Sequence, residues 1–244
     1  MPPSAPLVDT LEADRGVTCV VGAGGKKSTL YALANQLERA VVTATVRIPP
    51  FEEHVSTVRI TDSPQDALER TEDWPLGLVA ADEGDRYRGY EPSVIDDLAA
   101  QVDVPILVKA DGARTRWLKA PNEREPQLPT SATTVVPIAS VRAVGEVLDD
   151  RVVHRPEEVA AITGLEIGEH TRVEDVATIL TSPDGGLKRV PDGATVIPLL
   201  NMADTPDLVA TAREIGDLVC QHEAVSRVVI TRLLEEEPVI DVLE

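Results

Sequence analysis

The sequence predicts an α/β fold in which a mostly parallel β-sheet carries helices on both faces. Short runs rich in valine and isoleucine recur along the 244 residues without polar alternation, as in strands that are buried on both faces. Helical patterns lie between these runs, and residues 206–221 repeat apolar side chains at i, i+3 and i+4 spacing. This alternation of strand and helix is typical of parallel sheets covered on both sides.

The expected elements follow from these patterns in chain order. Apolar runs expected as strands begin at residues 17, 40, 76, 104, 133, 194 and 226. Helices are expected over residues 28–39, 64–72, 92–101, 156–163, 172–181 and 206–221. Residues 140–190 carry helices but no clear strand, which predicts a helical insertion. Residues 1–16 are expected to form an N-terminal tail, and residues 17–244 a single nucleotide-binding domain.

The charge balance restricts the classes of partner. The chain has 42 acidic residues against 23 Lys and Arg, a formal net charge of −19 at pH 7. Because such a surface repels nucleic acid and anionic membranes, neither is expected as a partner. An acidic, lysine-poor surface favours a halophilic source over an ordinary acidic cytosolic protein. No run approaches the ~18 apolar residues of a membrane span, and the N-terminus lacks signal-peptide features, so a cytoplasmic location is expected.

The first predicted strand leads into a glycine-rich loop, "GAGGKKST", with the context of a phosphate-binding loop. Gly22, Gly24 and Gly25 allow backbone N–H groups to turn towards an anion, and the following helix adds the positive end of its dipole. Ser28 and Thr29 offer hydroxyl groups at the start of that helix. The alternative is a tight strand–helix turn in which Ser28 only caps the helix.

This loop is shorter than the standard G-x-x-x-x-G-K-[ST] sequence. Its spacing resembles the G-x-x-G-K-[ST]-[ST] loop of Mur-type ligases, which predicts a fold like that of the P-loop NTPases. Lys26 would contact the β- or γ-phosphate, but Lys27 stands where a magnesium-binding hydroxyl is expected. Magnesium ligation would therefore shift to Ser28 or be lost.

A second segment, "VKADGARTRWLKAPNEREP", follows another predicted strand. Asp111 at the end of that strand could hold magnesium, although an Asp-Gly turn is the alternative. Four of the five lysines belong to this segment or to the glycine-rich loop: Lys26, Lys27, Lys109 and Lys119. In a protein short of cations, this concentration predicts an anion site.

Three further stretches supply candidate residues. Asp82, after an apolar run, is a second candidate magnesium ligand. The stretch "LLNMAD" is similar to the base-reading N-K-x-D motif of GTPases, with Asn201 and Asp204 in place, although a helix cap is the alternative. The stretch "VHRPEE" places His154 and Arg155 before a helix that begins with proline, where a structural histidine is the alternative.

Together these stretches resemble the YqeC family, regarded as accessory proteins of selenium-dependent molybdenum hydroxylases. The family's order and rough spacing are found for "VVGAGGKKSTLYALA", "VKADGARTRWLKAPNEREPQLP", "VHRPEE" and "LLNMAD", over about residues 17–230. The resemblance implies a P-loop-like α/β fold and a nucleotide-handling role in maturing such hydroxylases, with a hydroxylase as the client protein.

The resemblance also assigns roles by position. It implies phosphate binding by Gly22, Gly24, Gly25 and Lys26, an acidic strand end at Asp111, basic companions at Arg114 and Lys119, and a second motif at His154 and Arg155. The chain departs from the family pattern at Lys27, where a hydroxyl is expected, and at Lys109, where a glutamate is usual. Each change removes a group that favours magnesium and adds a positive charge.

Three functions remain open at this level. The first is an accessory protein that binds ATP or GTP with Mg²⁺ and is at most a weak NTPase, with Lys26 and Asp111 as catalytic residues. The second is an ATP-dependent ligase or kinase of the Mur-ligase type, with a second substrate held by Arg114, Arg116 and Trp117. The third is a non-catalytic module that binds molybdopterin nucleotide or a client hydroxylase.

Overall fold

The structure is a computed structural model that describes residues 5–244. The strands in this range are β1 (Val17–Gly22), β2 (Val41–Ala44), β3 (Thr57–Ile60), β4 (Leu76–Val79), β5 (Ala81–Asp82), β6 (Tyr87–Arg88), β7 (Ile106–Lys109), β8 (Leu118–Lys119), β9 (Ala132–Ser140), β10 (Val153–His154), β11 (Thr195–Val196), β12 (Leu199–Asn201), β13 (Val228–Thr231) and β14 (Val239–Leu243). The helices are α1 (Leu7–Thr10), α2 (Lys26–Gln36), α3 (Pro64–Glu69), α4 (Pro92–Ala99), α5 (Pro156–Thr163), α6 (Val173–Thr181) and α7 (Pro206–Val219), with 3₁₀ turns at Glu52–His54 and Val141–Ala143.

One large sheet organises the fold. Its strands follow the order β14-β13-β12-β9-β1-β7-β2-β4-β3, and β11 also pairs with β9. Every pair in this sheet is parallel except β13 with β14. The predicted α/β class with a mostly parallel sheet is therefore confirmed.

Helices cover both faces of this sheet. Successive strand residues point to opposite faces, so Val20 of β1 joins one hydrophobic cluster and its neighbour Cys19 joins another. The cluster with Val20 includes residues of α1 and α2, whereas the cluster with Cys19 includes Ile95 and Leu98 of α4. A third cluster contains residues of α5, α6 and α7 together with Ala139 of β9. Val135 of β9 belongs to the cluster with Cys19 and points to the same face as Ala139, so α5, α6 and α7 lie on the same face as α4.

The N-terminal segment does not form the predicted tail. Residues 1–4 lie outside the described residues, but α1 packs Leu7 and Leu11 into the core, and both are fully buried. Arg227 also pairs with Glu12, Nη2 to Oε1, at 2.7 Å. The expectation of a tail is therefore wrong for residues 5–16, because a four-residue helix is too short to show a periodic pattern.

The helical insertion predicted around residues 140–190 lies between β9 and β11. It contains α5 and α6, as expected, and the two-residue strand β10, which was not expected. Strand β10 pairs in parallel with β8 outside the main sheet. No helix within residues 5–244 is both long and apolar enough to cross a bilayer.

The strand order reverses at β1. The chain places β7, β2, β4 and β3 on one side of β1, and β9, β12 and β13 on the other. In open parallel sheets, ligands bind outside the carboxyl ends of the strands at such a switch point. The glycine-rich loop follows β1 at this position.

Candidate functional site

A cleft of about 510 Å³ opens at the carboxyl edge of the sheet, a volume in the usual range for ligand pockets. Residues 24–28 of the glycine-rich loop form one wall, and residues 112–116 contribute another. The acidic residue in its lining is Glu125. Eight Lys and Arg residues line it: Lys26, Lys27, Arg47, Arg86, Lys109, Arg114, Arg116 and Arg155. A chain of net charge −19 therefore has a cleft whose lining is rich in cationic side chains.

The glycine-rich loop is held close to the backbone of β9. A Cβ atom on Gly22 would lie 2.3 Å from the Ile138 carbonyl oxygen, and one on Gly24 would lie 2.6 Å from the Ser140 nitrogen. Both glycines also have positive φ angles, +86° and +91°, which disfavour other residues. The sequence needs glycine here because the turn and the close approach both exclude a side chain.

Helix α2 begins at Lys26, two residues earlier than predicted. Its N-cap, Gly25, has no side-chain hydrogen bond, and Ser28 lies inside the first turn and lines the cleft. The alternative in which Ser28 caps the helix is therefore wrong. The first amides of α2 are left without a side-chain cap at the wall of a cationic cleft, an arrangement that attracts anions.

Asp111 anchors the loop through two buried lysines. Its Oδ1 lies 2.9 Å from Lys26 Nζ, its Oδ2 lies 2.8 Å from Lys119 Nζ, and the Gly22 N–H donates to Oδ2 at 2.8 Å. Burial would raise the pKa of Asp111, but the charges of Lys26 and Lys119 outweigh it and hold that pKa below its ordinary value. Asp111 is therefore an ionised structural anchor for the loop.

The ion pairs continue from Asp111 to the second motif. Glu125 Oε2 lies 2.6 Å from Lys119 Nζ and 2.6 Å from Arg155 Nη1. Strand β8, which carries Lys119, also pairs with β10 just before Arg155, so that Lys119 lies beside His154. The structure thus brings the segment after β7 and the "VHRPEE" stretch together.

The three predicted magnesium ligands are not assembled. Ser28 lines the cleft, but both oxygens of Asp111 contact lysine ammonium groups. Asp82 lies exposed on β5, outside the cleft lining, and accepts a hydrogen bond from the Gly84 N–H at 2.8 Å. Residues 5–244 contain no group of three His, Cys, Asp or Glu side chains placed to hold a metal. These residues do not fit a resident magnesium ion.

Three other candidate residues do not line the cleft: Asn201 and Thr29 support the loop, and Asp204 lies on the surface. Asn201 is buried; its Nδ2 donates to the Gly24 carbonyl at 2.7 Å, and its Oδ1 accepts from the Leu233 N–H at 3.2 Å. Thr29 is buried in α2, and its hydroxyl donates to the Gly25 carbonyl at 3.1 Å. Asp204 pairs with Arg142 at 2.6 Å on the surface. Asn201 and Asp204 are therefore not arranged to read a base.

Two lysines and a histidine line the cleft and are available to contact a ligand. Lys27 is half-buried, and its ammonium has no hydrogen bond or ion pair among residues 5–244. Burial, and then the charge of Lys26, lower the pKa of Lys109 to about 7. Burial, and then Arg155 and Lys119, lower the pKa of His154 to about 4, so its imidazole is neutral at pH 7.

Sequence reasoning missed some of the lining residues. Arg47 follows β2 and Arg86 precedes β6, and neither residue stands in a recognisable motif. Glu125 lies within the quoted segment but was not selected, and Lys109 was counted among the lysines of the predicted anion site without being assigned as a ligand. The available signal was the position of Lys109, a lysine at the end of an otherwise apolar buried strand.

The fold and the cleft define an α/β protein with a glycine-rich loop at the switch point of a mostly parallel sheet. Residues 18–157 match the family described as YqeC protein. The chain is 30% identical over 230 residues to the uncharacterized protein YqeC of Escherichia coli (strain K12), covering 91% of this chain and 90% of that protein. The chain therefore belongs to the YqeC family. No solved structure matches it.

Proposed function

We propose that the cleft binds the phosphate groups of a nucleotide, ATP or GTP. The observation that carries this proposal is the excess of eight Lys and Arg residues over one glutamate in the cleft lining of a protein with net charge −19. Retaining so many cations at one place, beside an uncapped helix N-terminus, favours a ligand with several negative charges.

The contacts around the loop suggest how the phosphates would be held. Backbone N–H groups of residues 24–28 and the Lys27 ammonium supply donors at one wall. Arg114 and Arg116 line the opposite segment and would contact other phosphate oxygens. Lys26 adds positive potential while its contact with Asp111 keeps the loop in place.

The carboxylates near the cleft favour binding over rapid hydrolysis. Asp111 and Glu125, the acidic groups nearest the loop, both contact cations and are poorly placed to activate water. His154 lines the cleft, but with its pKa lowered to about 4 its imidazole is a weak base for activating water. These features support a binding protein with slow or no turnover, in which Asp111 is an anchor instead of a catalytic residue.

The family resemblance supports a role in the maturation of molybdenum-containing hydroxylases, with such a hydroxylase as the client protein in the cytoplasm. A molybdopterin nucleotide has the same phosphate chemistry as ATP and would use the same donors. The ligase or kinase alternative is weaker, because Trp117, expected to hold a second substrate, packs against a hydrophobic cluster instead.

The test is calorimetric titration of ATP and GTP into the wild type and two matched lysine variants. Lys27→Met removes an unpaired ammonium from the cleft and should weaken binding about tenfold. Lys188→Met changes the fifth lysine, which is outside the cleft lining, and should leave the affinity unchanged. Phosphate release over several hours should be slow or absent.

Two outcomes would refute the proposal. If neither nucleotide binds the wild type, the cleft has another purpose. If Lys27→Met and Lys188→Met bind equally well, the phosphate groups do not lie at this loop.

A further inference from the structure

We infer that Lys109 serves as a built-in counter-charge for a doubly charged phosphoryl group, so that the cleft binds its nucleotide without magnesium. This inference rests on the proposed nucleotide binding and specifies how the ligand's charge is neutralised. It gives a specific role to one of the four lysines that the sequence concentrates at the predicted anion site.

Lys109 is a buried cation without an acidic partner. Lys109 is 6% exposed and lines the cleft. The Nζ atom donates one hydrogen bond, to the Arg47 carbonyl at 2.9 Å, and forms no ion pair among residues 5–244. An ammonium group has three N–H donors, so two remain for a ligand. The other buried lysines, Lys26 and Lys119, both contact Asp111.

Lys109 lies beside the strand that leads into the glycine-rich loop. It is the last residue of β7, the strand next to β1, and it pairs in register with Val20 of β1 and Ala44 of β2. The loop that starts at Gly22 and the Arg47 carbonyl both follow these neighbouring strands. A phosphoryl group bound at the N-terminus of α2 would therefore lie beside the Lys109 ammonium.

The charges of the buried cluster around Lys109 and Asp111 do not balance without a ligand. When Lys109 is protonated, they comprise four cations and two carboxylates, a surplus of two positive charges: Lys26, Lys109, Lys119, Arg155, Asp111 and Glu125. A phosphoryl group carries about −1.5 to −2 at pH 7 and would neutralise this surplus. A divalent cation would instead enlarge it, and Asp111 has no oxygen free of a lysine to bind one.

The experiment compares ATP binding to the full chain with EDTA and with magnesium, by calorimetry. The wild type should bind ATP in EDTA at least as tightly as in magnesium. Magnesium bound to ATP neutralises part of the phosphate charge and would weaken the attraction to the Lys109 ammonium. Lys109→Met, which keeps the volume and removes the charge, should weaken binding in EDTA about tenfold or more. Lys188→Met is the matched control and should bind like the wild type.

The possible outcomes separate this inference from the proposed function. Binding that requires magnesium, or equal affinity of Lys109→Met and wild type in EDTA, would overturn the inference and leave nucleotide binding intact. Absence of ATP and GTP binding under both conditions would overturn the proposed function and this inference with it. The comparison of EDTA with magnesium needs only the wild type, so it does not depend on how the variant folds.

Discussion

At the Lys109 side chain, the stability of the fold conflicts with the proposed binding of an anion. Burial, and then the charge of Lys26, lower its pKa to about 7, below the ordinary lysine value. The charged form therefore destabilises the free protein, and this cost is complete below about pH 7. The cost declines as the pH rises towards the ordinary lysine pKa, because the folded protein then carries a neutral amine.

We expect Lys109→Met to stabilise the free protein. A buried charge without a partner is replaced by an apolar side chain of similar volume, which should raise the free energy of unfolding by ~1–3 kcal/mol at neutral pH. Urea denaturation at about pH 6 and about pH 9 measures the effect, which should be larger at the lower pH. Lys188→Met should show no such gain. A variant less stable than the wild type at both pH values would contradict the buried position of this charge.

Residue type predicted much of the site but not the direction of each side chain. Lys27, Ser28, Arg114 and His154 are among the residues selected from the sequence, and they line the cleft. Asn201 has the right chemistry to read a base, but its amide is used by the loop it supports. Such competition for hydrogen bonds depends on distant residues, which a sequence pattern does not reveal.

At the scale of elements, the turn from β1 into α2 has a narrow sequence requirement. Gly24 and Gly84 have nearly equal φ angles, +91° and +90°, but a Cβ on Gly24 would meet Ser140 whereas one on Gly84 would meet nothing within 4 Å. The two positions therefore share the backbone penalty for a side chain, and only Gly24 adds a steric clash. This makes Gly84 a matched control for the loop.

We expect Gly84→Ala to cost about 1–2 kcal/mol of stability, the usual penalty for a left-handed backbone. Gly24→Ala should cost about 2 kcal/mol more and abolish ATP binding, because the loop must move away from β9. Denaturation curves and calorimetric titrations of both variants measure these differences. Equal losses of stability, with ATP binding retained in both, would show that the loop does not need this close approach.

The sequence predicted strands best where they are buried on both faces. The seven apolar runs all contain strands, but the run at residue 194 divides into β11 and β12 around Pro198. The edge strands β3 and β14 were not predicted, because their residues are mostly half-buried or exposed and lack a continuous apolar pattern. Partners within the sheet, and not local propensity, fix such edges.

For the whole molecule, the sign of the charge differs between the cleft and the chain. The net charge is −19, whereas the cleft lining has eight cations and one carboxylate. Repulsion among the many acidic groups destabilises the compact state, and attraction between the cleft and an anionic ligand favours binding. Salt screens both interactions, so it should affect stability and affinity in opposite directions.

We expect the melting temperature to rise and the affinity for ATP to fall between about 0.1 M and about 2 M KCl. Thermal denaturation followed by circular dichroism measures the first change, and calorimetry measures the second. Sucrose at matched osmolality is the control, because it stabilises compact states without screening charge. A melting temperature that does not change with KCl would argue against the halophilic interpretation of the composition.

The pairing of β8 with β10 limits how relatives of this protein can differ in length. Only four residues form this pair, with Leu118 beside Val153 and Lys119 beside His154. A slip of one residue in β10 would turn His154 to the opposite face and remove its imidazole from the cleft lining. Loops on either side of β9 can lengthen at little entropic cost, since closure entropy grows slowly with length. Insertions and deletions should therefore accumulate in those loops during evolution and be absent from the four paired positions.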